Sequence, residues 1–528
     1  MTMKFACLKT LAASMLAAGM LLASGAASST TTVRLAPTAD LKTLDPLFNT
    51  AYITRNHGYM VFDTLFSQDS KGKVQPQMVD TWTSSEDGKQ WTFTLRDGLS
   101  FNDGTPVTSA DCIASIERWA KKDTLGRLMM KAGATFKVIN DKTFEIQFQE
   151  PFGLVLASLS KPSGMPLFIM PKRLADTDPS VPVTEMVGSG PFLFKKDEWV
   201  PGNKVVYVKN PNYKPRAEPA DGLAGGKVVN VDRVEWLYIP DANTAAAALQ
   251  NGEIDMIESV TPDFLPVLEA NSDVNLIPAL ASQGMIIPNS LFPPFNNVKA
   301  RQAMYHAVDQ ASFVSAVGYS DKYRTEYCPS MYTCSSPYAT DAGAEKYKTP
   351  DFDKAKALLK EAGYNNEKVV ILYPTDNVNG PANLVLAQAL TKAGFNVDLQ
   401  AMDWASVAAR RLKKDAPENG GWNIFLTHGG YFDANTPVTN PWLSAPCGNG
   451  LPGWPCDEEL DTLRNQWIAE NDEAKSKAIA VKMQERAYET VPYAIWGEFK
   501  PVIATRGLSN TNLMSVGIPI MWNVEKNK

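Results

Sequence analysis

The 528-residue chain is poor in the residues that hydrolytic and metal-dependent sites require. It has only three histidines, and neither His57 nor His306 stands at the spacing of a metal motif. It lacks G-x-S-x-G and H-E-x-x-H. One S-x-x-K tetrad, Ser158 to Lys161, matches that of serine penicillin-recognising enzymes, but the partner motifs K-T-G and S-D-N are missing. The sequence therefore predicts neither catalysis nor a cofactor or metal, and leaves an extracytoplasmic hydrolase as a remote alternative.

The chain also lacks an excess of positive charge and a second long apolar run. Lys and Arg number 51 against 57 Asp and Glu, a net charge of −6. A nucleic-acid-binding surface needs the opposite balance, so no nucleic-acid partner is expected. Beyond the N-terminus, no stretch approaches the roughly 20 uninterrupted apolar residues of a membrane span. The length exceeds that of a single core, so we expect two or three domains.

The one long apolar stretch lies at the N-terminus and has the flanks of a secretory signal peptide. Lys4 and Lys9 precede the apolar residues 11–23, and small residues at 24–27 offer a cleavage site. Removing residues 1–27 would change the net charge from −6 to −8. Cys7 precedes the apolar stretch, so no lipid anchor is expected. The sequence thus predicts a soluble periplasmic protein.

Four of the five cysteines beyond the signal peptide flank two short loops. Cys328 and Cys334 enclose one loop, and Cys447 and Cys456 enclose the other. Export permits disulfides, and pairing within each loop is the simplest assignment. Cys112 is left over, and a buried apolar role is favoured for it.

The segment from Val61 to Trp119 contains a characteristic order of turns, one strand and one helix start. Residues 91–96 alternate apolar and polar, as a half-buried strand does. Thr108, with Asp111 three residues later, predicts a capping box that opens a helix. Asp-Gly-type turns are predicted at 86–89, 97–98 and 102–104.

Later regions alternate strands and helices. Residues 234–257 predict strand, helix and strand, with the helix ended by Gly252 and the strands paired in parallel. Between Asp353, a predicted helix cap, and Thr427, three strand–helix alternations predict an open parallel sheet. One long amphipathic helix is predicted over 458–491. Ligands bind beyond the carboxyl ends of such strands, which favours a site at 428–437.

Together these segments resemble family 5 of the bacterial extracellular solute-binding proteins, the dipeptide-, oligopeptide- and nickel-binding proteins of ABC importers. The likeness covers nearly the whole exported chain. Besides the segment 61–119, it rests on the short sequences at 44–46, 188–192, 210–213, 248–255, 298–310 and 351–364.

The resemblance implies an α/β, two-lobed periplasmic-binding-protein-like fold with paired hinge crossings and an extra subdomain inserted into lobe I. It also implies a monomer that traps a small solute or short peptide between the lobes and delivers it to the ABC permease in the membrane. The predicted divisions are lobe I at 28–60, 185–277 and 498–528, the inserted subdomain at 61–184, and lobe II at 278–497.

In peptide-binding members of this family, an aspartate after a strand holds the ligand's α-ammonium, and Asp433 matches it. A desolvated carboxylate and an ammonium form a strong charge-assisted hydrogen bond. The competing interpretation of Asp433 is an Asx-turn ahead of Pro437. Trp404 and Arg411, seven residues apart on one predicted helix, match a pocket tryptophan and a carboxylate-binding arginine. The competing interpretation of Arg411 is a solvated helix charge.

The remaining candidate ligand-binding residues are aromatic, histidine or acidic. His428, Tyr431 and Phe432 lie on a predicted glycine-bearing loop that suits a pocket wall. Asp40, Tyr52 and Tyr59 lie near the start of lobe I, where the family also has cleft residues. A peptide or amino-acid-derived ligand is favoured. Because the Gly429-Gly430 pair departs from the aromatic-rich segment of peptide binders, an opine, an aromatic acid, a saccharide or a metal chelate remains the alternative.

Overall fold

A computed structural model describes residues 30–447, 450–470 and 472–527 of the protein. The predicted signal peptide, residues 1–27, lies outside these residues. Within the described ranges, no helix combines the length and the apolar character that a membrane crossing requires.

The described residues form 21 strands. In the first half of the chain they are β1 (Thr32–Ala36), β2 (Phe66–Gln68), β3 (Val74–Pro76), β4 (Val79–Ser84), β5 (Gln90–Leu95), β6 (Thr135–Asn140), β7 (Thr143–Gln147), β8 (Phe192–Phe194), β9 (Lys204–Lys209), β10 (Arg233–Leu237) and β11 (Met256–Ile257). The later strands are β12 (Val274–Pro278), β13 (Ser282–Pro288), β14 (Arg324–Thr325), β15 (Lys368–Pro374), β16 (Asn396–Met402), β17 (Ile424–Gly430), β18 (Ala494–Phe499), β19 (Val502–Arg506), β20 (Leu508–Ser509) and β21 (Glu525–Lys526).

Fifteen α-helices connect these strands within the described ranges. The first seven are α1 (Tyr52–Val61), α2 (Ser109–Ala120), α3 (Thr124–Lys131), α4 (Val155–Leu159), α5 (Lys172–Ala175), α6 (Ala242–Asn251) and α7 (Leu265–Glu269). The others are α8 (Val298–His306), α9 (Gln310–Val317), α10 (Phe352–Glu361), α11 (Asn379–Lys392), α12 (Trp404–Arg410), α13 (Tyr431–Ala434), α14 (Glu458–Ala469) and α15 (Glu473–Thr490).

Two large mixed sheets divide the molecule into two lobes. The sheet of lobe I has the order β12-β19-β11-β1-β10-β9-β8, and that of lobe II has the order β14-β18-β13-β17-β15-β16. The chain passes between them twice, at residues 279–281 and 500–501. The Ala279 N–H donates to the Pro501 carbonyl across 2.8 Å, so the two crossings lie side by side. This is the two-lobed α/β fold that the resemblance implies; the exact limits of the lobes stay predictions.

The segment 61–119 folds largely as its sequence predicts. Its strand β5 lies inside a small four-stranded sheet, β4-β5-β7-β6, where Phe93 packs against Phe66 and Phe144. Helix α2 begins with the predicted capping box. The Thr108 N–H donates to Asp111 Oδ2 at 2.8 Å, and the Thr108 side chain accepts from the Asp111 N–H. Cys112 is buried as a free thiol, and burial raises its pKa.

One predicted strand pairing is wrong, because local sequence patterns do not determine which strands become neighbours in a sheet. β10 and β11 are parallel but not neighbours, since β1 lies between them. The three strands predicted between 353 and 427, β15, β16 and β17, are parallel as expected, and the same sheet also contains β13, β14 and β18, which pair antiparallel.

Three predicted helix limits also need correction. The predicted helix 458–491 is two helices, because Asp472 caps α15 by accepting the Lys475 N–H. Asp351, not Asp353, caps α10, since its carboxylate accepts the Lys354 N–H at 2.8 Å. The helix that begins at Trp404 ends at Arg410, so Arg411 is its C-cap and not a residue within it.

The buried His57 makes stability depend on pH. It is fully buried beside Tyr207 and Met186, and burial lowers its pKa to about 3. Between pH 6.5 and about 4 the unfolded chain therefore binds a proton at this residue that the folded protein does not. The free energy of unfolding should fall as pH falls through this range.

We expect His57→Asn, which keeps a hydrogen-bonding side chain but does not titrate, to flatten this dependence by up to about 1.4 kcal/mol per pH unit. Urea unfolding at pH 7, 6 and 5 measures it. The same slope in wild type and variant would contradict the assignment.

Candidate ligand-binding site

Asp433 lies where the two lobes meet, at the carboxyl end of β17. It belongs to α13, which begins directly after that strand. Its Oδ2 accepts a hydrogen bond of 2.6 Å from the hydroxyl of Tyr52, the first residue of α1 in lobe I. The same hydroxyl accepts the N–H of Gly430 at 3.2 Å. Burial, reinforced by the Asp433 carboxylate, raises the pKa of Tyr52, so the hydroxyl stays protonated and donates.

A second residue of the facing lobe contacts the same carboxylate oxygen. The Ser163 hydroxyl donates to Asp433 Oδ2 at 3.1 Å, and Arg55 Nη1 donates to that hydroxyl at 2.9 Å. Arg55 is buried, its guanidinium lies 4.3 Å from the Tyr52 ring centroid, and it has no ion pair with a carboxylate of the described residues. A buried cation is thus linked to Asp433 through one hydroxyl.

The other oxygen of Asp433, Oδ1, differs from Oδ2 in its hydrogen bonding. Asp433 Oδ1 receives no hydrogen bond from any described residue. It faces Gly164, which has a φ of +71°. A Cβ added at Gly164 would lie 3.9 Å from Oδ1 and 3.2 Å from Lys161 Nζ. Opposite charges therefore border the space next to Gly164, although Lys161 also pairs with Asp123.

His428, on β17 five residues before Asp433, is a neutral side chain. It is half-buried, and its Nδ1 lies 3.4 Å from Asn379 Oδ1. Its ring packs edge-on against Phe499 at 5.6 Å, one residue before the second crossing. Burial lowers the pKa of His428 to about 4, so the ring offers a hydrogen bond and apolar surface at neutral pH.

The predicted loop at 428–433 is wrong, because strand β17 and helix α13 occupy it. His428, Gly429 and Gly430 continue β17, where they pair with residues 282–284 of β13, and α13 follows at once. Strand pairing satisfies the backbone here, so no loop forms. The Tyr52 hydroxyl approaches the Gly430 N–H without requiring glycine there, since an added Cβ would lie 3.4 Å from that oxygen, an ordinary van der Waals contact.

Trp404 and Arg411 lie together, but no contact joins them to the Tyr52–Asp433 pair. The Arg411 guanidinium lies 5.5 Å from the Trp404 ring centroid and 5.6 Å from that of Phe425. Its Nε is buried without a hydrogen-bond partner, and burial lowers its pKa. No carboxylate of the described residues pairs with Arg411. Its side chain is half-buried, intermediate between a solvated helix charge and a core residue.

The other predicted site residues are half-buried or lie in the core. Tyr431 is half-buried and packs edge-on against Phe432 at 5.6 Å, whereas Phe432 lies in the core. Tyr59 is also in the core, 3% exposed, with its hydroxyl donating to the Pro162 carbonyl. Asp40 is half-buried in the stretch after β1 and has no hydrogen bond to a described residue. Besides Asp433, the sequence predicts six site residues at 428–433 and in early lobe I, and among the described residues only Tyr52 of these six has a side-chain hydrogen bond to Asp433.

Sequence reasoning missed Ser163, Arg55 and Lys161. Ser163 and Lys161 follow α4 within the predicted inserted subdomain. Ser163 lies 270 residues before Asp433 in the chain. Their only local signal is a Pro-Ser-Gly turn, which predicts a surface loop and no partner. The side chains of Ser158 and Lys161 share no hydrogen bond among the described residues, since the Ser158 hydroxyl is buried without a partner and Lys161 pairs with Asp123.

Both predicted cysteine pairs are at disulfide distance. The Cα atoms of Cys328 and Cys334 are 5.8 Å apart, and those of Cys447 and Cys456 are 4.3 Å apart. Each bridge closes its short loop in lobe II, as the spacing predicts.

The sequence matches a known protein family over most of its length. Residues 73–450 match the family model of the bacterial extracellular solute-binding proteins, family 5. The chain belongs to this family. A relative from Sinorhizobium fredii, a probable peptide ABC transporter periplasmic-binding protein, is 39% identical over 96% of both chains. The family and this relative are transport binding proteins rather than enzymes, and binding a substrate for import is accordingly the role of this family member.

Solved structures agree with the fold. The periplasmic binding protein AgaA of A. tumefaciens R10, solved with agropinic acid, has a TM-score of 0.78 at 22% identity and covers 94% of this chain and 99% of its own. DppA of Helicobacter pylori, solved with the peptide STSA, has a TM-score of 0.77 at 21% identity with the same coverage. At these identities the likeness establishes the two-lobed fold.

Proposed function

We propose that this family member captures a short peptide or an amino-acid-derived solute between its lobes and presents it to the permease of an ABC importer. The ligand's ammonium group binds Asp433 Oδ1. The N-terminal signal peptide exports the chain to the periplasm, where it acts as a monomer without a lipid anchor and catalyses no reaction.

The unpartnered oxygen of Asp433 carries this proposal. Oδ2 already accepts hydrogen bonds from Tyr52 and Ser163 of lobe I, which fix the carboxylate, while Oδ1 has no donor. An ionised carboxylate accepts on both oxygens, and an ammonium is its strongest donor in a site shielded from water. Because both lobes build this site, a ligand bound there stabilises their closure.

Two further groups suit the rest of such a ligand. Lys161 Nζ, across the space beside Gly164, can donate to the carbonyl or carboxylate next to the ammonium. Arg411 is a half-buried guanidinium without a carboxylate partner among the described residues, between two aromatic rings. Its planar donor fork suits the ligand's far carboxylate. The site then selects a solute with an amino and an acidic end.

A non-peptide solute is the second candidate. It is favoured by the side-chain-free stretch at Gly429 and Gly430, which replaces the aromatic-rich segment of peptide binders, and by the likeness to AgaA, which was solved with agropinic acid. Agropinic acid would present a carboxylate and hydroxyl groups but no ammonium, because its nitrogen is part of a lactam. Binding measurements therefore separate the two ligands.

A thermal-shift screen tests the proposal. The panel comprises di-, tri- and tetrapeptides including Ser-Thr-Ser-Ala, agropinic acid, an aromatic acid, a saccharide and a nickel chelate. A ligand bound by the native state alone at 100 times its Kd stabilises the protein by about 2.7 kcal/mol, so Tm rises by several degrees. Stabilisation by peptides supports the proposal. Stabilisation by the aromatic acid, saccharide or chelate alone would contradict it, and stabilisation by agropinic acid alone would select the second candidate.

Tyr52→Phe is expected to weaken binding of the best peptide from this screen about tenfold. It removes the hydroxyl that bridges Asp433 and Gly430, and a hydrogen bond to a charged group contributes about 1.5–3 kcal/mol. Isothermal titration calorimetry measures the change. Tyr59→Phe is the matched control, because its hydroxyl binds the Pro162 carbonyl within lobe I. Equal affinities of the two variants would count against the contact between the lobes.

A further inference from the structure

The loop closed by Cys328 and Cys334, which we call the disulfide loop, lies directly behind the segment that carries Asp433. The Thr333 N–H donates to the Ala434 carbonyl at 3.1 Å, and the Ser336 hydroxyl, just beyond the loop, donates to the Asn435 carbonyl at 2.6 Å. From the other side, Asn440 Nδ2 donates to the Met331 carbonyl at 2.9 Å. Three hydrogen bonds thus hold residues 434–440 against this loop.

A buried carboxyl group holds the disulfide loop in turn. Glu498 is 3% exposed, and its Oε2 accepts the Cys334 N–H at 2.7 Å. Its Oε1 accepts the Thr325 hydroxyl at 3.0 Å. Oε2 also lies 3.7 Å from Cys328 Sγ, a packing contact because a disulfide sulfur has no proton to donate. No ion pair of the described residues includes Glu498. The hydrogen bonds around Asp433 described above do not involve the Glu498 side chain.

Glu498 connects this loop to the strands that cross between the lobes. It lies on β18, two residues before the crossing at 500–501. Its neighbour across the sheet, Gln283 of β13, donates from Nε2 to the Ser330 and Tyr332 carbonyls, both at 2.9 Å. β13 and β18, the two strands next to the crossings, therefore both hold the disulfide loop through hydrogen bonds of their side chains. The segment that carries Asp433 is bound to the same loop.

We propose that Glu498 is a positioning residue for the ligand-binding site. It acts through the Cys334 amide and the disulfide loop to fix the backbone that carries Asp433, and so keeps Oδ1 aimed at the space beside Gly164. The proposal rests on the proposed function in taking Asp433 as the ammonium anchor. The positioning itself is a property of the ligand-free protein and is tested without a ligand.

Hydrogen–deuterium exchange of the ligand-free protein tests it with two variants. Glu498→Ala removes both acceptors, and we expect amides between Asp433 and Asn440 to exchange about tenfold faster. Glu498→Gln keeps an acceptor for the Cys334 N–H and should restore exchange to within about threefold of wild type. Peptides from β1 and β10 in lobe I should remain unchanged in both variants.

Reduction of one disulfide gives an independent test. In the Cys447→Ser/Cys456→Ser background, a phosphine reductant can cleave only the Cys328–Cys334 bond among the two bridges. We expect it to raise exchange at 433–440 as Glu498→Ala does. If this background does not fold, the two Glu498 variants still decide the question.

Unchanged exchange at 433–440 in Glu498→Ala would overturn the proposal. So would a rise of equal size throughout β13 and β17, which would mean general destabilisation, or a Glu498→Gln variant as fast as Glu498→Ala. Failure of every peptide in the thermal-shift screen would refute the proposed function and leave these exchange results unaffected, so the two failures are distinguishable.

Discussion

Asp433→Asn is expected to weaken peptide binding about a hundredfold. Asparagine keeps the shape of the side chain and an oxygen that can accept from Tyr52 and Ser163, so the contact between the lobes persists. It removes the negative charge that faces the ligand's ammonium. Loss of one partner of a desolvated, hydrogen-bonded charge pair costs about 2–5 kcal/mol of binding free energy. Calorimetric titration with the best peptide of the screen measures this loss.

Asp353→Asn is the matched control for this change. It alters the same functional group on lobe II, but on the exposed surface of α10. We expect its affinity to stay within about twofold of wild type, since single exposed charges contribute little. If Asp433→Asn bound the peptide as tightly as Asp353→Asn does, Asp433 would not be the ammonium anchor.

The second large effect concerns the stability of lobe I. Lys227→Met should lower the free energy of unfolding by about 3–5 kcal/mol, because it leaves the buried Asp63 carboxylate without its cation. Lys227 Nζ lies 2.7 Å from Asp63 Oδ1, and the two side chains are 0% and 1% exposed. Tyr213 donates to the other oxygen at 2.9 Å, which cannot replace a charge. Urea unfolding of wild type and variant gives the difference.

An exposed pair of the same residue types serves as the control. Lys172 and Asp176 are about half exposed on both sides, at 55% and 53%, and pair across one turn of α5. Lys172→Met should change stability by less than about 1 kcal/mol. The double variant Lys227→Met/Asp63→Leu should recover much of the loss, because a buried pair can be exchanged for apolar residues of similar size. Equal losses at the two lysines would refute the burial argument.

Local sequence patterns predict much of this fold. The capping box at Thr108, the left-handed Gly252 that ends α6, and both short disulfide loops are present as expected. Each depends on residues close together in the chain, where spacing determines geometry. The family likeness adds the two lobes and the position of Asp433. The break between α14 and α15 at Asp472 is not predicted from the sequence, because apolar residues continue at helical spacing on both sides of it.

The partners of Asp433 could not be predicted in the same way. Tyr52 and Ser163 lie 381 and 270 residues before it, and both meet it only because the lobes face each other. Ser163 follows a short helix in a turn whose local pattern predicts only exposure. The position of β1 between β10 and β11 likewise depends on tertiary pairing. Local periodicity determines which residues form an element, and long-range pairing determines its neighbours.

The most direct test of the proposed site is calorimetric titration of the wild-type protein with one peptide in two forms. The peptide that raises Tm most in the screen is compared with its N-acetylated form, in which a neutral acetamide replaces the ammonium group. If Asp433 Oδ1 holds the ammonium, the free peptide should bind about a hundredfold more tightly. Equal affinity of the two forms would contradict this account of the site.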